Sequence, residues 1–340
     1  MTNRLVELLS ERDWLLLDGA TGTNLFAMGL EAGDAPELWN IDQPEKIHAL
    51  HNGFIGAGSD VILTNSFGGT RYRLKLHDAQ NRVHELNVAA AQIARTCADA
   101  AGRPVIVAGS VGPTGEILEP VGTLSHDDAV AAFREQIAGL MEGGVDVIWA
   151  ETISSEEEFR AVAEAAEAED ASLCGTLSFD TAGRTMMGVT SSGFAAFAGG
   201  LTRPLHALGA NCGTGAPDLL RTVAGITEAD PNATVIAKAN AGIPKYVDGR
   251  IEYDGTPDLM ARYACLARGL GARLIGGCCG TKPEHLVAMR AALESFVPGA
   301  RPDLETIRTE IGEFSSADDG AGASAETEEK PRGRRGRRRG

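Results

Sequence analysis

No run of about 18 apolar residues, the length a membrane-crossing helix needs, occurs in this 340-residue chain, so no segment is expected to span a bilayer. The opening residues, Met1-Thr2-Asn3-Arg4-Leu5-Val6-Glu7, carry charge early and lack the apolar core and small-residue cleavage site of an export signal. Positive charge is scarce: 31 Lys and Arg face 47 Asp and Glu, a net −16. The deficit sits in the body, because residues 1–314 hold 42 acids and 24 bases, a net −18, while 315–340 hold five acids and seven bases. So acidic a body repels phosphate, which argues against a nucleic-acid partner. Six cysteines (97, 174, 212, 265, 278 and 279) could pair, yet in a large chain without an export signal free or metal-bound thiols are expected instead. The expected compartment is the reducing cytoplasm. Also missing is a Gly-x-Gly-x-x-Gly turn after the first apolar run. Gly19-Ala20-Thr21-Gly22-Thr23 has the wrong spacing, which disfavours a doubly wound nucleotide-binding sheet.

What is present is a repeat of short apolar runs, each ending in Gly, Asn, Thr or an acid: 14–20, 61–67, 105–111, 145–152, 173–179, 208–212, 234–239 and 273–277. They are continuously apolar rather than alternating, as strands buried on both faces of a parallel sheet must be. Helical stretches lie between them, at 44–55, 82–101, 125–141, 154–168, 191–201, 216–228, 257–270 and 283–296. Several open on a capping Ser or on Pro near the first turn. Eight such units in about 300 residues predict an α/β fold, a (β/α)8 TIM barrel over residues 1–314. From Ser315 the composition changes to Ser, Ala, Gly and acids, then to an Arg-rich end. With no apolar periodicity left, 315–340 is expected to be a disordered C-terminal tail.

Barrel enzymes build their sites at the carboxyl ends of the strands. Those ends supply Asp18-Gly19, Thr64-Asn65-Ser66, Ser110, Glu151-Thr152, Asn211-Cys212, Asn240 and Cys278-Cys279. Two carboxylates suit a cationic amino group. Three thiols from two strand ends suit zinc with an open fourth position, the arrangement by which a metal does chemistry. The alternative is three buried structural cysteines, and a vicinal pair flanked by glycines fits that poorly. Zinc with three thiolates is a net anion. It stabilises a substrate thiol as a thiolate that stays nucleophilic, so alkylation of a thiol is expected in preference to hydrolysis.

Asp18-Gly-Ala-Thr-Gly-Thr, Thr64-Asn-Ser-Phe, Gly112-Pro-Thr-Gly, Glu151-Thr152, Asn211-Cys212, Asn240-Ala-Gly-Ile-Pro and Gly276-Gly-Cys-Cys-Gly-Thr resemble the homocysteine S-methyltransferase family over about residues 10–297. The resemblance implies zinc held by Cys212, Cys278 and Cys279, with the Asn240 oxygen as a labile ligand. It also implies homocysteine bound as a zinc thiolate, its amino and carboxylate ends held by Asp18, Gly19, Thr64 and Glu151. Asp18 as a turn cap and Thr64 as a source of backbone groups alone are the plainer readings of those two residues.

The motifs are more similar to the homocysteine module of cobalamin-dependent methionine synthase than to the animal betaine enzymes. Where the latter carry tyrosines, this chain has Gly68 and Thr152, and only Trp39 and Tyr72 offer aromatic faces for a quaternary ammonium. The expected activity is zinc-dependent methylation of homocysteine to methionine, as the homocysteine-activating part of a split cobalamin-dependent methionine synthase. Methylcobalamin would then arrive on a partner corrinoid protein. Betaine or S-methylmethionine is the alternative donor, another thiol or a selenol the alternative acceptor, and a non-enzymatic zinc or redox module the alternative class. An oligomer is compatible with all of these.

Overall fold

A computed structural model describes residues 3–247 and 250–318. Among them eight parallel strands form one sheet: β1 (Leu15–Leu16), β2 (Val61–Leu63), β3 (Ile106–Val111), β4 (Val147–Ile153), β5 (Leu173–Leu177), β6 (Ala207–Cys212), β7 (Val235–Ala239) and, after an antiparallel hairpin β8 (Pro244–Val247) and β9 (Arg250–Tyr253), β10 (Ala272–Gly277). The order is β1-β10-β7-β6-β5-β4-β3-β2, and a parallel bridge from Leu17 to Val61 joins the two ends into a barrel. The fold expected from the spacing of apolar runs is therefore the fold observed.

The alternation of side chains along each strand explains why the runs are apolar throughout. Leu63, Ala108, Trp149, Cys174, Ile236 and Leu274 point inward and form the barrel's interior cluster. Their neighbours Ile62, Val107, Ile148, Leu173, Val235 and Ile275 point outward into the larger cluster beneath the helices. Leu5, Leu8 and Leu9 of the helix Arg4–Glu11 belong to the interior cluster, so this helix plugs the amino-terminal end of the barrel. Asp60 fastens the same end. Its buried carboxylate takes Arg12 at 2.6 Å, Arg290 at 2.8 Å, Arg103 at 3.4 Å and the Leu16 N–H at 3.0 Å.

The helices follow the sequence closely. Ser125 and Ser155 cap helices His126–Glu142 and Glu156–Ala168, each accepting from the backbone N–H three residues on. Among the elements outside the repeat are the plugging helix, the hairpin, the short helices Thr21–Ala27, Trp39–Asp42 and Arg71–Leu74 in the loops after β1 and β2, and a last helix, Leu304–Ile311. After that helix Phe314 lies 4.8 Å from the Arg221 guanidinium. Arg221 donates to the Ser316 carbonyl at 2.8 Å, and the Ser315 N–H donates to Asp218 at 3.0 Å. Contacts with the barrel thus run to Ser316, and the acidic and Arg-rich stretch 319–340 lies outside the described residues.

Candidate metal centre and substrate pocket

One alternation step beyond the interior cluster, the inward positions change character. Ser110, Glu151, Thr176 and Lys238 follow Ala108, Trp149, Cys174 and Ile236 on β3, β4, β5 and β7, and all are buried. An apolar plug thus carries a polar floor at the carboxyl end of the barrel, the end where barrel enzymes place their chemistry.

The thiols stand around this floor. Cys212 ends β6, and Cys278 and Cys279 follow β10 directly. Their three sulfur atoms lie within 4.8 Å of one another, with Cys212 Sγ and Cys279 Sγ 3.9 Å apart. Sulfurs bound tetrahedrally to one zinc at about 2.3 Å would be about 3.8 Å apart, so the cluster has the size of a zinc site. None of the three is in a disulfide. The three thiols interact: hydrogen bonds from Cys212, then Cys278, lower the pKa of Cys279, while the same bonds raise that of Cys212.

Asn240 follows β7 beside the cluster. Its amide nitrogen donates to the Gly213 carbonyl at 2.9 Å, which fixes the orientation of the amide and leaves Oδ1 buried with no partner. A buried amide oxygen without a donor is costly, and a cation would satisfy it. Donor set, spacing and orphan oxygen all fit zinc.

Backbone geometry delivers the thiols. The Cys278 N–H donates to the Ala239 carbonyl at 2.7 Å and the Ala241 N–H to the Cys279 carbonyl at 2.9 Å, stitching the loops after β7 and β10 together. Gly280 takes φ +79° and faces Tyr253, where a Cβ would come within 2.4 Å of the Tyr253 Cβ. At Gly19 a Cβ would fall 2.7 Å from the Thr281 carbonyl oxygen, so the glycine lets the end of β1 run against the cysteine loop.

Asp18 and Glu151 occupy the same floor but have different partners. Asp18 accepts from the Leu63 N–H at 2.7 Å and from the Lys238 ammonium at 3.0 Å. Burial raises its pKa, opposed by Lys238 and that N–H. Burial also pulls Lys238 down, but Asp18, Glu151 and Cys278 outweigh it and keep the ammonium charged. Glu151 takes one hydroxyl donor, Ser110 at 2.5 Å, and burial pushes it up to about 7. Thr64 stands behind this bond: its hydroxyl accepts the Ser110 N–H at 3.0 Å and pairs with Ser66 at 2.6 Å.

This arrangement of motifs on this barrel coincides with a known family. The family model described as homocysteine S-methyltransferase matches residues 15–293. The chain belongs to the homocysteine S-methyltransferase family. It is accordingly a methyltransferase, and the acceptor of the family is homocysteine. Among solved structures it is similar to the homocysteine methyltransferase MmuM of Escherichia coli. The oxidised form is 27% identical, covers 85% of this chain and 99% of its own, and superposes with a TM-score of 0.71; the metallated form is 26% identical with the same coverage and a TM-score of 0.70. A methyltransferase from Methanosarcina mazei, 15% identical over 86% of this chain and 97% of its own with a TM-score of 0.52, shares the fold.

In this member of the homocysteine S-methyltransferase family, Asp18, Gly19, Thr64, Glu151, Asn240 and the three cysteines all lie at one barrel mouth. Sequence reasoning missed Lys238 and Tyr253 as parts of the site, and it placed Ser110 at the mouth without its bond to Glu151. Lys238 was legible in principle, since a lone lysine inside the apolar run 235–239 must bury its charge and so demands a partner. Tyr253 gave no signal, because it arrives on a hairpin outside the strand–helix repeat, where it packs against Gly280 beside Cys279 and its pKa is raised by burial and then by Cys279.

Proposed function

We propose that this chain is a zinc-dependent homocysteine S-methyltransferase that forms methionine, serving as the homocysteine-activating component of a split cobalamin-dependent methionine synthase. The observation that carries the metal is the cluster of Cys212, Cys278 and Cys279 beside the unpartnered oxygen of Asn240. In this reading the three cysteines hold zinc, and Asn240 is the ligand that gives way. When bound, zinc supplies a site at which a thiol loses its proton near neutral pH yet remains nucleophilic.

The rest is the work of the chain. Glu151 and Asp18 receive the ammonium of homocysteine, and a charge-assisted contact of this kind contributes about 1.5–3 kcal/mol. The backbone beside Gly19 and that of Thr64, whose hydroxyl is already taken by Ser110 and Ser66, line the carboxylate end. Ser110 fixes the Glu151 rotamer, and the apolar plug beneath the floor keeps water from reaching the sulfur from below. The thiolate sulfur attacks the methyl carbon, the S–CH3 bond forms as the bond to the donor breaks, and the electron pair leaves with the donor. The thiol proton has already gone to solvent.

A corrinoid-borne methyl group is favoured over betaine by the aromatic side chains. Trp39 already carries the Lys46 ammonium 4.2 Å from its ring centroid, so one of its two faces is occupied by a cation of the protein itself. Purified protein should contain one equivalent of zinc that is lost in Cys278→Ser. With homocysteine and zinc it should form methionine from methylcobalamin or a methylated corrinoid protein. Rapid turnover with betaine or S-methylmethionine alone would replace the corrinoid reading, and full zinc retention in Cys278→Ser would remove the metal assignment.

A further inference from the structure

The side chain of Asn211 precedes the metal ligand Cys212 and touches four groups from three other strand ends. Its Oδ1 accepts the Thr152 N–H at 2.9 Å and the Thr176 hydroxyl at 2.7 Å. Its Nδ2 donates to the Thr152 hydroxyl at 2.7 Å and lies 3.8 Å from Cys278 Sγ. Asn211 is itself buried.

Thr152 needs this help. It follows Glu151 and takes φ +62°, a conformation that a β-branched residue rarely adopts. The ladder between β4 and β5 breaks at the same place: Ala150 pairs with Gly175 and the next pair is Ile153 with Leu177. A break of this kind re-aims the neighbouring side chain and leaves a backbone N–H without its ladder partner. Here the Asn211 oxygen takes the place of the missing carbonyl. The strained turn after Glu151 is therefore held by a side chain whose other end faces a metal-binding sulfur. Cys212, next in sequence, is also at positive φ, +60°, so a second left-handed residue directly follows the one that braces Thr152.

We propose that Asn211 is a positioning residue that sets the direction of the Glu151 strand end and moderates the Cys278 thiolate at once, coupling the ammonium end of the pocket to the metal end. This rests on the zinc and homocysteine reading above. An N–H donor to a coordinated thiolate withdraws electron density from the sulfur, and loss of such outer partners typically costs about 10–100-fold in metal affinity or activity. A residue that served packing alone would change stability and leave the electronic character of the sulfur untouched.

The test separates the two halves of the amide in cobalt-loaded protein. Asn211→Asp keeps an acceptor for the Thr152 N–H and the Thr176 hydroxyl but removes the donor to Cys278 and to the Thr152 hydroxyl. Its sulfur-to-cobalt charge-transfer band should move to lower energy, and a chelator should strip the metal about 10–100-fold more readily. Asn211→Ala also removes the acceptor, so it should add a rise in the KM for homocysteine beyond that of Asn211→Asp. A wild-type band reproduced unchanged in Asn211→Asp, with unchanged chelator resistance, would overturn the proposal even if Asn211→Ala failed to fold. A wild-type protein that shows no charge-transfer band would instead overturn the metal reading itself, and this proposal with it.

Discussion

At the residue scale, Asp18 and Glu151 are two buried carboxylates made unequal by their neighbours. Lys238 and a backbone N–H satisfy Asp18, whereas Glu151 has only the Ser110 hydroxyl and titrates near 7. Burial therefore favours a neutral Glu151 below about pH 7, and in the proposed binding mode homocysteine would lose a charged partner there. The KM for homocysteine should climb as pH falls from 8 to 6. Glu151→Gln should raise the KM about 10–100-fold at pH 8, flatten that climb and leave zinc content unchanged. Stability should move the other way. A carboxyl whose pKa is raised on folding is destabilising only above its unfolded value, so the glutamine variant should gain melting temperature at pH 8 and lose the gain towards pH 5. Equal KM values for wild type and variant across this range would remove Glu151 from the site.

At the element scale, the strand–helix repeat was legible because each strand is buried on both faces and each helix has one buried stripe, two patterns that the order of apolar and polar residues carries. The thiols and both carboxylates were legible because a barrel gathers strand ends, so residues distant in sequence could be placed together before their contacts were known. What escaped was set by tertiary partners. Val61–Phe67 reads as one run, yet only Val61–Leu63 joins the ladder, because Thr64 and Ser66 turn to bond β3. The Leu304–Ile311 helix has local marks in its Asp303 cap and its apolar Leu304, Ile307 and Ile311, but nothing local marks the segment after Phe314 as docked on the barrel. Phe314 and Ser316 sit on Arg221, itself paired with Asp218 at 2.7 Å near the start of the helix that follows Cys212. A chain ending after Asp318 should melt as the full chain does. One ending after Ile311 should lose roughly 1–3 kcal/mol, because Arg221 and Asp218 lose buried partners. Identical melting of both truncations would show that these contacts contribute nothing.

At the scale of the whole molecule, the barrel is a rigid support that brings three thiols, an amide oxygen and two carboxylates to one mouth. No helix among the described residues is long and apolar enough to cross a membrane. The strongly acidic body would meet a donor protein through a basic complementary surface, and such an encounter weakens with salt. The central claim is narrower than the identity of the donor: three cysteine sulfurs hold zinc and leave one position for the sulfur of homocysteine. X-ray absorption at the zinc edge counts those sulfurs directly. The resting protein should show three sulfurs at about 2.3 Å and one lighter atom, and homocysteine should raise the count to four. A first shell that keeps the same sulfur count with saturating homocysteine would contradict the account.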